Sequence, residues 1–151
     1  MTLGGDFDDA MDDHVLVRSP DGVHSMRCLL QGSRSDTRTL YHVTSSDAAR
    51  RIRVEGFRHS DHDAAMGSMI YFAESEREAA CKARSDHPRV TLRCRVRVGV
   101  RLHVPRTCRW LSPDVVWRYG ADTVYGGDDV FSSGPEFGVT SRDQVKEIHL
   151  V

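Results

Sequence analysis

From residue 90 to residue 104 every even-numbered position is apolar: Val90, Leu92, Cys94, Val96, Val98, Val100, Leu102 and Val104. The odd positions carry Arg93, Arg95, Arg97, Arg101 and His103. A period of two puts one set of side chains on one face of a strand, whereas a helix would scatter them around its axis. The stretch therefore predicts one long half-buried strand, or two strands broken near Gly99. The opposite face is an arginine ladder. Two readings of it stand: a track for phosphates or nucleic acid, or a solvated face balanced by the chain's aspartates.

The flanking sequence alternates short apolar runs with turn residues. Val15–Arg18, Ser19-Pro20-Asp21-Gly22 and Val23–Leu30 read as strand, turn and strand, behind an acidic leader (Asp6, Asp8, Asp9, Asp12, Asp13) that spans residues 1–14. Gln31–Thr37 reads as a polar turn. Thr39–Val43 is a short strand. Ser45 or Ser46 caps a helix through Ala48, Ala49, Ile52 and Val54, with Gly56 at its C-terminal end. A polar loop at 58–67 leads to the buried-strand run Ser68–Ala73. A helix follows over Ser75–Arg84, with Glu76 and Glu78 in its first turn. Ser112-Pro113-Asp114 starts a third helix within Leu111–Tyr119. Thr123–Tyr125, Glu136–Thr140 and Val145–Val151 complete the strands. Six to eight strands and two or three short helices give an α+β class of mostly antiparallel, packed sheets.

Composition narrows the function. The chain has 151 residues, one domain's length. Lysine plus arginine total 21 against 22 acidic residues, a net charge of -1, which excludes a nucleic-acid clamp acting by bulk charge. All but two of the basic residues are arginine (Lys82 and Lys146 are the lysines), a bias suited to planar anion contacts. No apolar run is long enough to span a membrane, and the acidic start lacks a secretory h-region. The expected setting is cytoplasmic or nuclear, with export by a non-classical route left open. Oligomeric state is not legible, and a monomer is compatible with the sequence. Cys28, Cys81, Cys94 and Cys108 form no C-x-x-C pair and read as reduced core residues. His59, Asp61, His62 and Asp63 share a loop, but no further ligands follow at a useful spacing, so no metal is expected. Gly4-Gly5 and Gly126-Gly127 lack a P-loop pattern, and Ser132-Ser133-Gly134 lacks a nucleophile elbow.

Three segments put one polar residue on or beside a strand. They are Tyr41-His42-Val43-Thr44, Gly67-Ser68-Met69-Ile70-Tyr71-Phe72-Ala73, and Glu136-Phe137-Gly138-Val139 followed by Gln144-Val145. In this order, with Gly56-Phe57-Arg58 after the first helix, residues 39–151 resemble the PARP-like, diphtheria-toxin-type ADP-ribosyltransferases with their His-Tyr-Glu triad. The second segment is the most specific. The resemblance implies a split β-sheet core of two packed sheets across residues 31–151, with the leader and hairpin at 1–30 outside it. It implies NAD as substrate and mono-transfer of ADP-ribose to a protein or nucleic-acid acceptor, with release of nicotinamide. Glu136 would stabilise the oxocarbenium-like centre formed when the ribose–pyridinium bond breaks. His42 would hold the adenosine-side ribose. Val43 would grip the nicotinamide amide by its backbone, with the Thr44 hydroxyl nearby. Tyr71 would stack on the ring, beside Phe72, and Arg58 would meet the pyrophosphate or adenine.

The sequence departs from that family at three places. Val43 stands where a glycine is usual, Ala79 where a serine is usual, and Lys82 where a second ring-stacking tyrosine is usual. These departures keep two alternatives in view: a binding module for NAD, ADP-ribose or a protein, and a relative of the NAD-using RNA 2′-phosphotransferases with the arginine ladder as its track.

Overall fold

The computed structural model describes residues 11–61, 64–83 and 88–151. Among them the chain runs β1 (Met11–Ser19), β2 (Gly22–Gln31), β3 (Thr37–Ser45), α1 (Ser46–Glu55), β4 (Ile70–Ala73) and α2 (Glu76–Lys82). It continues with β5 (Arg89–Arg97), β6 (Arg101–His103), α3 (Pro113–Arg118), β7 (Thr123–Gly126), β8 (Glu136–Val139), a 3₁₀ turn at Arg142–Gln144, and β9 (Val145–Leu150). This is an α+β molecule, with one strand more than the upper end of the expected range. Part of the acidic leader is strand, since β1 begins at Met11; Asp6, Asp8 and Asp9 lie outside the described residues. No helix among the described residues is long and apolar enough to cross a membrane.

Local chemistry accounts for the element ends. Each helix opens on a serine whose hydroxyl accepts from a backbone N–H: Ser45 from Ala48 at 3.1 Å, Ser75 from Glu78 at 3.1 Å and Ser112 from Val115 at 3.3 Å. α1 stops at Gly56, whose φ of 85° suits glycine and whose N–H returns to the Ile52 carbonyl at 2.8 Å. The period-two stretch is two strands, and Gly99, at φ 60°, sits at the break.

The expected pair of sheets is one hydrogen-bonded ladder, ordered β1-β2-β6-β7-β8-β4-β3-β5-β9, antiparallel throughout except at β6/β7. Its weakest joint is β3/β4, where Tyr41↔Ala73 is the one bridge among the described residues. The ladder must fold over at that joint. β5 and β6 lie five places apart, roughly 24 Å in a flat sheet. The four residues between Arg97 and Arg101 reach at most about 14 Å. The fold-over lets Leu40, Leu92, Cys94 and Val96 on β3 and β5 share a buried cluster with Ile70, Phe72, Phe137 and Val139 on β4 and β8, under α1. A second cluster joins the β1–β2 hairpin (Val15, Val17, Met26, Cys28) to Leu102, Val124 and Val116. The hairpin is thus part of the core.

The same crease breaks up the arginine ladder. Arg93 and Arg95 are exposed on β5. Arg97 and Arg101 turn to Asp122 and Asp36, each at 3.5 Å. The solvated, aspartate-balanced reading describes this face, and no continuous row of guanidinium groups is present among the described residues. The cysteines are free thiols; Cys28 and Cys94 are buried as expected, but Cys81 is exposed on α2.

Candidate functional site

Beyond the Tyr41↔Ala73 bridge, β3 and β4 separate, and a cleft of about 510 Å³ occupies the fork. Tyr41, His42 and Val43 line it from β3; Tyr71, Phe72 and Ala73 from β4; Glu136 from β8; Ala79 and Lys82 from α2. Asp61, Ala64 and Ala65 add a wall from the loop after α1. The volume falls within the ~300–1,000 Å³ usual for small-molecule sites.

His42 reaches across the fork. Its Nδ1–H donates to the Tyr71 carbonyl at 2.8 Å. A carbonyl only accepts, so this bond places the proton on Nδ1 and leaves Nε2 as an acceptor. Burial lowers the imidazole pKa below its ordinary value, with the Tyr71 bond opposing, and holds the ring neutral. Phe57 and Phe72 meet it edge-on, with centroids 5.1 and 5.9 Å away.

Tyr71 is anchored at its far end. Its hydroxyl donates to the Gly67 carbonyl at 2.6 Å and accepts from the Met66 N–H at 2.9 Å. Burial, with Glu136 adding, raises its pKa, so the phenol stays protonated. With the hydroxyl engaged, the ring is what Tyr71 offers the cleft. Gly67 makes this anchor possible. It has φ 88°, and a Cβ there would overlap the Leu111 carbonyl oxygen.

Glu136 begins β8, opposite Ala73 and Gly126. Its Oε2 lies 3.2 Å from Lys82 Nζ, with both side chains about 15% exposed. The same ammonium donates to Ser133 Oγ and to the Gly134 carbonyl, each at 2.8 Å, and sits 5.0 Å over the Phe131 ring. Three acceptors match the three N–H donors of a lysine, an arrangement that a planar guanidinium cannot meet.

His42, Tyr71 and Glu136 therefore converge, with Val43 and Phe72 beside them. Thr44 is half-buried on β3 and is not among the residues lining the cleft. Arg58 lies in an adjoining hollow of about 250 Å³ that shares His42 and Tyr71, with its guanidinium 3.3 Å from Glu55 and largely exposed. His59 of the acidic-histidine loop is committed elsewhere, its Nε2 at 2.6 Å from the Thr140 carbonyl. His62 and Asp63 lie outside the described residues. Gln144 is buried scaffold: its amide bonds the Arg97 carbonyl and Thr123 Oγ1, and its carbonyl accepts from Ser141 N–H. Sequence reasoning met Lys82 only as a missing tyrosine. A signal was present, because a lysine in a chain that otherwise uses arginine marks a place for a compact cation.

No protein-family model and no curated protein matches the chain.

Proposed function

We propose that the protein is an NAD-dependent ADP-ribosyltransferase, built on the ADP-ribosyltransferase variant of the α+β class. The observation that carries the reading is the convergence of His42, Tyr71 and Glu136, three residues far apart in sequence, on one cleft. In the proposed reaction the bond between ribose C1′ and the pyridinium nitrogen breaks. Its electron pair neutralises the ring, and nicotinamide leaves. The acceptor's nucleophile bonds to C1′ and gives up its proton to solvent. Glu136 offers a carboxylate to the developing oxocarbenium centre and to the ribose 2′-hydroxyl. His42 offers an unprotonated Nε2 to a ribose hydroxyl, and Tyr71 a ring face to the cationic pyridinium. Mono-transfer to a protein or nucleic-acid acceptor is part of the same reading.

One observation favours a second reading. A carboxylate already within 3.2 Å of an ammonium is partly neutralised, as a module that binds NAD or ADP-ribose without turnover would tolerate. Incubation with NAD labelled on its adenylate half separates the two. The transferase reading expects nicotinamide release and label transfer by the parent protein, and a loss of about 100-fold or more in Glu136→Gln with NAD still bound. Binding without release supports the module. Parent-rate transfer by Glu136→Gln overturns the assigned role of the carboxylate.

A further inference from the structure

A second hollow, of about 230 Å³, lies on β2, β6 and β7, away from the residues of the cleft. Leu29, Val104, Pro105 and Tyr125 give it apolar walls, and Arg27, His103 and Asp129 give it polar groups. The His103 ring stacks on Tyr125 with centroids 4.5 Å apart, and Tyr125 packs edge-on against Phe137 at 4.9 Å. This aromatic row fixes the imidazole in place. Yet His103 Nε2 is buried and has no hydrogen-bond partner among the described residues. Leaving such an atom unsatisfied costs about 1–3 kcal/mol, and most buried polar atoms in folded proteins do find partners. A leucine or phenylalanine would fill the same place on β6 without that penalty.

The surroundings restrict what could satisfy it. Arg27 only donates and Asp129 only accepts. A free anion would meet the Asp129 carboxylate, and a free cation would meet Arg27 together with Arg101 and Arg38, which both act on His103. A neutral ligand with a donor and an acceptor side by side satisfies both groups. The space is smaller than the ~300–1,000 Å³ of drug-sized pockets, so it suits one ring system and not a dinucleotide. Apolar walls and an aromatic floor favour a flat one.

We propose that this hollow is a binding site for a neutral planar heterocycle bearing an amide edge, an N–H beside a C=O, with the ligand supplying the partner that His103 Nε2 lacks. Guanine, uracil and nicotinamide share that chemistry. The inference does not rest on the proposed transferase activity, because none of its residues lines the cleft.

The test follows the His103 ring nitrogens by ¹⁵N-histidine NMR during titration of the full chain with guanosine, uridine or nicotinamide. The expected result is a saturable shift of His103 Nε2 with at least one of them, which identifies the source. For uridine, 3-methyluridine, whose amide N–H is blocked, should bind at least tenfold more weakly. Asp129→Asn should lose affinity by a similar factor. A His103→Phe variant keeps the stack and removes the orphan nitrogen. It should melt at a higher temperature than the ligand-free parent and lose binding. A His103 signal unmoved by all three compounds overturns the proposal. So does binding of 3-methyluridine equal to that of uridine, or a His103→Phe variant that melts lower and still binds.

Discussion

His42 and His103 are both strand histidines held neutral by burial, and the structure treats them in opposite ways. His42 has its Nδ1 proton fixed by the Tyr71 carbonyl at 2.8 Å, so its free nitrogen is aimed and its tautomer set. His103 is stacked just as firmly, but its buried Nε2 has no partner among the described residues. The first pattern is preorganisation, in which the protein settles its own hydrogen bonds and presents one acceptor. The second is an open valence, tolerable when something else closes it. Burial alone would not have told the two sites apart; the hydrogen-bond ledger does.

The largest expected effect is on the preorganised side. His42→Ala removes both the cross-fork bond and the free acceptor, and should weaken NAD binding about tenfold or more in a calorimetric titration. Unchanged affinity would mean that the fixed tautomer serves the fold and not a ligand.

Lys82 comes next, as the partner that settles Glu136. Lys82→Met leaves the Glu136 carboxylate, the Ser133 hydroxyl and the Gly134 carbonyl without their ammonium, and should cost about 1–3 kcal/mol in urea unfolding. Lys82→Arg should recover little of it, since a planar fork does not match three converging acceptors. Full rescue by arginine would show that charge alone matters there.

The smallest effect is on pH dependence, and it separates the two histidines. Burial, aided by Arg101 and Arg38 and opposed by Asp129, pushes the His103 pKa down to about 4. The unfolded imidazole takes up its proton near pH 6.5 and the folded one does not until about pH 4. Stability contributed by neutral His103 is thus complete above about 6.5 and is lost as pH falls towards 4. The loss is at most about 3 kcal/mol and less once solvent screening of a part-exposed ring is counted. His42, also lowered, acts in the same direction. Asp36 is different. Burial would raise its pKa, but the Ser33 hydrogen bonds, Arg101 and Arg38 bring it below 3.8, so its contribution fades only at more acid pH. Unfolding at pH 7 and pH 4.5 should show a smaller drop for His103→Phe than for the parent. An equal drop would assign the acid sensitivity elsewhere.

Much of the fold was legible because it rests on local rules. Alternation at 90–104 marked β5 and β6, serines marked the helix starts, and Gly56 and Gly99 marked an end and a break. The candidate site was legible through the spacing of His42, Tyr71 and Glu136 within short segments. What the sequence hid is long-range. The fold-over at Tyr41↔Ala73 decides whether Arg93 and Arg101 share a face, and it depends on which strands pair, not on any local pattern. The Lys82 cage joins α2 to a loop some fifty residues later. The isolation of His103 Nε2 depends on what β2, β6 and β7 do not supply. Thr44 was placed in the site by its neighbours in sequence, yet the strand turns it away from the lining.

The most direct test of the central claim, that the β3–β4 fork holds NAD around His42, Tyr71 and Glu136, is ¹⁵N-histidine NMR of the intact chain titrated with NAD. The account predicts a saturable movement of His42 Nε2, with Nδ1 still protonated against the Tyr71 carbonyl. A His42 signal that stays fixed while NAD binds elsewhere, or while no binding occurs, would contradict it.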